Sequence, residues 1–120
     1  MVADGWMALQ TFWSSFGLSA YDALTVPDDA AMPYITYESK LGDLEDKTAL
    51  SASIWYRSTS WADVSQKAKQ IQDAIGGGMS VPYSGGRLWV TQEVPFAQRL
   101  LEPSDDSVRR IVLQVSAEYH

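Results

Sequence analysis

The chain contains no cysteine, and its one histidine is the last residue, His120. The first absence excludes disulfides and thiolate metal sites; the second argues against a His-based triad and a His-clustered metal site. No apolar run approaches the roughly 20 residues that span a bilayer, so no membrane partner is expected. Asp4 precedes every lysine and arginine, which departs from the basic start of a secretory signal. A soluble protein, intracellular or bound to an assembly, is the expectation. Positive charge is also short where nucleic acid would need it. The net charge is −6, and residues 1–48 hold eight acids against Lys40 and Lys47, while residues 49–120 hold seven of each sign. A module that grips phosphates needs a basic patch, and this balance argues against one.

Large aromatics, by contrast, are plentiful. Five tryptophans and six tyrosines in 120 residues exceed what a minimal core needs, and such a surplus often goes to interfaces. The length suits one domain, 1–120, with one core. Residues 4–16 predict a helix with Asp4 as N-cap, an apolar stripe of Trp6, Leu9, Phe12, Trp13 and Phe16, and a stop at Gly17. A long connection with a turn at Val26-Pro27-Asp28-Asp29 leads to a strand at 33–38. An acidic loop follows at 42–48, then a strand at 49–57 with Leu50, Ala52, Ile54 and Tyr56 on one face and Ser51, Ser53, Trp55 and Arg57 on the other. That strand runs almost directly into a second helix, capped by Ser60 with Asp63 three residues on. Its stripe is Trp61, Val64, Ala68, Ile71 and Ile75, and it ends at Gly76-Gly77-Gly78.

Strands are further expected at 87–93, with Trp89, Thr91 and Glu93 opposite Leu88 and Val90, and at 108–119. Pro95 is expected to stop the first of these, leaving 96–103 irregular. The expected fold is therefore α+β. It has a mostly antiparallel four-stranded sheet and two amphipathic helices on one face, in the order helix-strand-strand-helix-strand-strand.

Catalytic chemistry finds little footing. Asp28-Asp29, Asp105-Asp106 and Asp43-Leu44-Glu45-Asp46 could in principle serve as acid and base or hold a cation, but each sits in a turn-like loop where aspartate is favoured for local bonding. The glycine runs follow a helix end or precede a strand, the wrong context for a phosphate cradle. No catalytic residue, cofactor or metal is expected. Trp55 and Trp89 are candidates for an exposed contact surface. Arg57, Arg87, Arg99, Arg109 and Arg110 could pair with the acidic residues of another copy, or stand solvated at strand ends.

The run Pro33-Tyr34-Ile35-Thr36-Tyr37, the acidic loop, Ile54-Trp55-Tyr56-Arg57-Ser58-Thr59-Ser60-Trp61 entering a helix, the glycine break and the long final strand together resemble tail terminator (tail completion) proteins of long-tailed bacteriophages. The resemblance covers about residues 18–120; the first helix matches it only loosely. It implies a small α/β subunit forming a ring, usually a hexamer, that caps the head-proximal end of the tail tube and stops its growth. The ring would offer the docking surface for the head connector or stopper protein. Genomic DNA would pass through its lumen without specific binding. The implied location is the virion tail or neck, with the host cytoplasm as the place of assembly. By position, Asp43, Glu45 and Asp46 would face the tube or a neighbour, and Arg87, Trp89, Phe96 and Arg99 would lie at subunit contacts. Two alternatives are another head–tail joining subunit such as a stopper and, from a different class, a small ligand-binding domain or enzyme.

If Trp89 and Arg57 face a neighbouring subunit, Trp89→Ala or Arg57→Glu will weaken self-association more than folding. Light scattering set against melting temperature checks this; unchanged oligomers with a lowered melting temperature would contradict it.

Overall fold

The computed structural model describes residues 2–40 and 47–120, with side chains from Trp6 onward in the first helix. Helix α1 spans Val2–Ser14, strand β1 Ser19–Asp22, β2 Tyr34–Tyr37 and β3 Lys47–Arg57. Helix α2 spans Ala62–Ile75, followed by β4 Met79–Tyr83, β5 Gly86–Leu100 and β6 Val108–Tyr119. The six strands form one sheet in the order β1-β2-β3-β6-β5-β4. β1 runs parallel to β2 and every other pair is antiparallel.

The expected four-stranded sheet is thus overturned. Two edge strands escaped the sequence pattern. β1 has four residues, too few for a readable alternation, and β4 carries Pro82, which an edge strand tolerates because one side of it needs no ladder donor. The hairpin from β4 to β5 turns on Ser84 and Gly85, with Tyr83 opposite Gly86.

Pro95 does not end β5. Gln92 pairs with Val115 and Ala97 with Leu113, so Glu93, Val94, Pro95 and Phe96 together stand opposite Gln114. This wide bulge absorbs the proline's missing N–H and reverses the side-chain alternation. Before it, Leu88, Val90 and Gln92 point toward the helices; after it, Ala97 and Arg99 do.

One face of the sheet is largely apolar. Ala20, Ile35, Tyr37, Leu50, Ala52, Ile54, Val81, Leu88 and Val90 are buried there. They join Ile111, Leu113, Val115, Ala117 and Tyr119 of β6, as the alternation of β3 and β6 predicts. Helix α2 packs on β3, β5 and β6 through Val64, Ala68, Ile71 and Ile75. Helix α1 touches both β1 and β4, the two edges of the sheet, so the sheet curls around it into a half-barrel. Leu9, Phe12, Trp13 and Phe16 fill the concavity, with Phe12 edge-on to both Trp13 and Phe16. Trp6, expected in the same stripe, is 39% exposed, and Asp4, expected to cap the helix, lies inside it.

Polar ties hold the helices in place. The Gln10 amide donates to Ala20 O (3.0 Å) and its carbonyl accepts the Tyr37 hydroxyl, joining α1 to β1 and β2. The Lys67 ammonium donates to Phe16 O (3.0 Å), linking α2 to the end of α1. The N-cap position of α2 is Trp61 rather than Ser60, and its side chain makes no capping bond. The Ser60 hydroxyl instead accepts the Ala62 N–H (3.1 Å). At the other end, the Gln92 amide donates to Gly76 O (2.9 Å), which the helix itself leaves without a donor, and also to Gln72 O (3.2 Å), which already accepts the Gly76 N–H.

Leu113, fully buried in the middle of β6 beneath α2, is expected to be a stability determinant. Leu113→Ala should cost about 2–5 kcal/mol, read as a lower urea midpoint at unchanged slope.

Candidate functional site: the helix-free face of the sheet

The same alternation that buries one face turns a second row of side chains away from both helices. Among the described residues no helix packs over this row. It carries two aromatic patches at opposite ends of the sheet.

The first patch spans four adjacent strands. Tyr34 on β2 stands opposite Trp55 on β3, and Trp55 stands opposite Arg110 on β6. Tyr21 on β1 meets Tyr34 edge-on, with ring centres 5.7 Å apart. The Arg110 guanidinium lies 4.6 Å from the centre of the Trp55 ring, a cation–π contact, and its Nε donates to the Ser53 hydroxyl (3.0 Å). The Trp55 indole N–H donates to Thr36 Oγ1 (2.9 Å). The aromatic row is therefore fixed in orientation. Beside it, Arg57 bonds Ser107 Oγ (2.9 Å) and Asp105 Oδ2 (3.3 Å), so part of its charge is matched within its own subunit. The Asp105 carboxyl is held below its ordinary pKa, first by the Ser107 hydroxyl and N–H and then by Arg57.

The second patch centres on Trp89, 38% exposed, in a shallow groove with Ser80, Arg87, Glu118 and His120. Arg87 Nε donates to the Ser80 hydroxyl (2.8 Å), and Glu118 sits between Lys47 (3.8 Å) and His120 (3.2 Å). Gly78 makes room for the tryptophan: a Cβ there would come within 2.1 Å of the Trp89 ring, and its φ of +150° is one that side-chain-bearing residues rarely adopt. Trp55 stands opposite Arg110, and Trp89 opposite Glu118. At about 3.3 Å per residue, the two patches lie about 26 Å apart along β6.

The residues expected at contacts are thus distributed unevenly. Trp55, Arg57, Arg87 and Trp89 share the helix-free face, in two groups. Arg99 lies on the helix side, its guanidinium 5.1 Å from the centre of the Trp61 ring. Phe96 is 6% exposed and belongs to the core, drawn inward by the bulge, so it is absent from the exposed surface of the subunit. Asp43, Glu45 and Asp46 lie outside the described residues. Tyr21, Tyr34 and Arg110 complete the first patch and were not singled out as a group from the sequence. Their adjacency depends on strand register, and the alternation alone does not supply it.

Among the described residues no three of His, Asp and Glu gather as metal ligands, and no helix is long and apolar enough to cross a membrane.

No family model matches the chain, and no curated protein matches it. A solved structure described as the virion of a native gene transfer agent (GTA) particle contains a chain that is similar to this one. The match has a TM-score of 0.59 and 22% identity, and it covers 98% of this chain and 92% of the other. At that identity the likeness establishes a shared fold across nearly the whole length.

Near the centre of the helix-free face, Glu38 accepts the Ser51 N–H (2.7 Å) and hydroxyl (2.9 Å) and pairs with Lys40 (3.4 Å). Burial pushes its pKa up, but the Ser51 bonds and Lys40 together outweigh burial and leave it below its usual 4.5. With the folded value lowered, its stabilising contribution is fully present above about pH 4.5 and is lost as pH falls through the folded pKa. Glu38→Gln should therefore lower the melting temperature by a few degrees at pH 7. Melts from pH 7 to pH 3 should show that difference closing below pH 4.5.

Proposed function

We propose that this chain is a structural protein of a phage-like virion, acting as a tail terminator. Copies form a ring, six in the simplest reading, at the head-proximal end of the tail tube. The ring halts tube growth and presents a docking surface to the head connector or stopper protein. Its role is construction and not catalysis.

The observation that carries this reading is the pair of unlike aromatic patches on one helix-free sheet face. A ring closes through head-to-tail contacts, which require each subunit to carry two different, complementary surfaces. The Trp55–Arg110 patch and the Trp89–Glu118 patch differ in composition and stand at opposite ends of the sheet. Half-exposed tryptophan and arginine are the side chains that contribute most at protein interfaces. Two further observations support the same reading. One is the order of sequence motifs that resembles tail terminators. The other is the fold shared with a chain of the native gene transfer agent virion. The excess of acids in residues 1–48 suits a lumen through which DNA slides without being held, since like charges repel phosphate.

Electron microscopy of the purified protein mixed with phage-like tail tubes tests the role. A terminator binds one end of each tube and, added during assembly, shortens and narrows the distribution of tube lengths. Binding along the sides of tubes, or tubes of unchanged length, would refute it.

A further inference from the structure

Leu24 is 86% exposed, yet it is held in place. The N–H of Ala23 donates to Tyr37 O (2.9 Å), that of Leu24 to Asp22 Oδ1 (2.9 Å) and that of Thr25 to Asp22 O (2.9 Å). The second Asp22 oxygen accepts the Ser39 hydroxyl. The backbone hydrogen bonds thus fix the turn while its leucine is turned to water. A turn whose backbone is ordered in advance leaves only the leucine's side-chain freedom to be lost when it binds, which favours a strong contact from one side chain. The same link carries Asp28 and Asp29, both exposed and without an ion pair among the described residues.

A matching hole lies four strands away. Past the bulge, Ala97 of β5, Ala68 of α2 and Ile111 of β6 line an apolar trough of about 230 Å³. That volume is below the usual small-molecule site and suits one or two side chains. At its rim stands Arg99. Its guanidinium stacks on Trp61 and reaches only the Ser65 hydroxyl (3.3 Å), with no acidic partner among the described residues. Lys69, also at the rim, is already paired with Asp73 (2.7 Å). The trough is thus apolar at its floor and cationic at one end; the link after β1 carries one exposed leucine, Leu24, and, four residues on, the exposed Asp28-Asp29 pair.

The knob follows β1 at one edge of the sheet, and the trough flanks β5, four interstrand steps across. Followed along the sheet at about 4.8 Å per step, the path between them is about 19 Å, so they belong to different parts of the subunit. They are placed for a head-to-tail contact between copies. We propose that Leu24 of one copy seats in the Ala68–Ala97 trough of a second copy, with the Asp28-Asp29 pair meeting Arg99. The inference rests on the ring reading above and names one of its subunit contacts.

Sedimentation velocity on the full chain and two variants, Leu24→Glu and Arg99→Glu, tests it. Each variant alone should self-associate about tenfold or more weakly than the wild type, the loss expected of an interface hot spot. Leu24→Ser should weaken association less than Leu24→Glu, and circular-dichroism melts of both Leu24 variants should match the wild type. The decisive sample is an equimolar mixture of Leu24→Glu and Arg99→Glu. Each retains the half that the other lacks, so the mixture should form heterodimers and stop there. Wild-type rings that persist in both variants, or a mixture that stays monomeric, would overturn the Leu24 contact while leaving the ring intact. A wild-type chain that forms no oligomer at any concentration would remove the ring reading together with this contact.

Discussion

Everything in this structure follows from the packing of α1 against both edges of one sheet. A six-stranded sheet left open would present its apolar face to water at both margins, beyond the reach of α2. By filling the concavity with Leu9, Phe12, Trp13 and Phe16, α1 forces the sheet to curl, and the curl brings β1 and β4 onto the same helix. A core of that shape needs only one face. Among the described residues no helix covers the second face, so its large aromatics are not needed to fill the core.

That freedom explains why the helix-free face is neither apolar nor simply charged. Its middle is small and polar, with Ser51, Ser53, Gln114 and Ser116, while tryptophans stand at the two ends. The tryptophans are held by their neighbours: Trp55 by Thr36 and Arg110, Trp89 by the space above Gly78. Ordering aromatic side chains before any partner arrives reduces what association must later overcome. The Leu24 turn repeats the device on another part of the subunit, with backbone hydrogen bonds in place of side-chain packing. In the proposed ring such preparation would serve each contact between copies.

The bulge at residues 93–96 has the widest consequences of any local feature. It lets β5 continue past Pro95 to Leu100, so the sheet extends beneath the start of α2. By reversing the alternation it draws Phe96 into the core, turns Ala97 and Arg99 toward α2, and so creates both the trough and its cationic rim. A strand ending at Pro95 would have left none of these.

Composition and periodicity alone determined which faces of α2, β3 and β6 are buried. Burial of Val64, Ala68, Ile71, Ile75, Leu50, Ile54 and Leu113 follows from spacing, because water exclusion acts on each element independently. The opposed orientations of Trp55 and Trp89 relative to their apolar neighbours were legible in the same way. Strand number, the parallel edge and the route of β5 were not. A four-residue edge strand and a proline-bearing one acquire their state from a neighbour's hydrogen bonds, which no local pattern encodes. The grouping of Tyr21, Tyr34, Trp55 and Arg110, and the Ala68–Ala97 trough, likewise arise from register and from a bulge. Those are set by how distant segments pair when the sheet closes around α1, so only the tertiary structure could decide them.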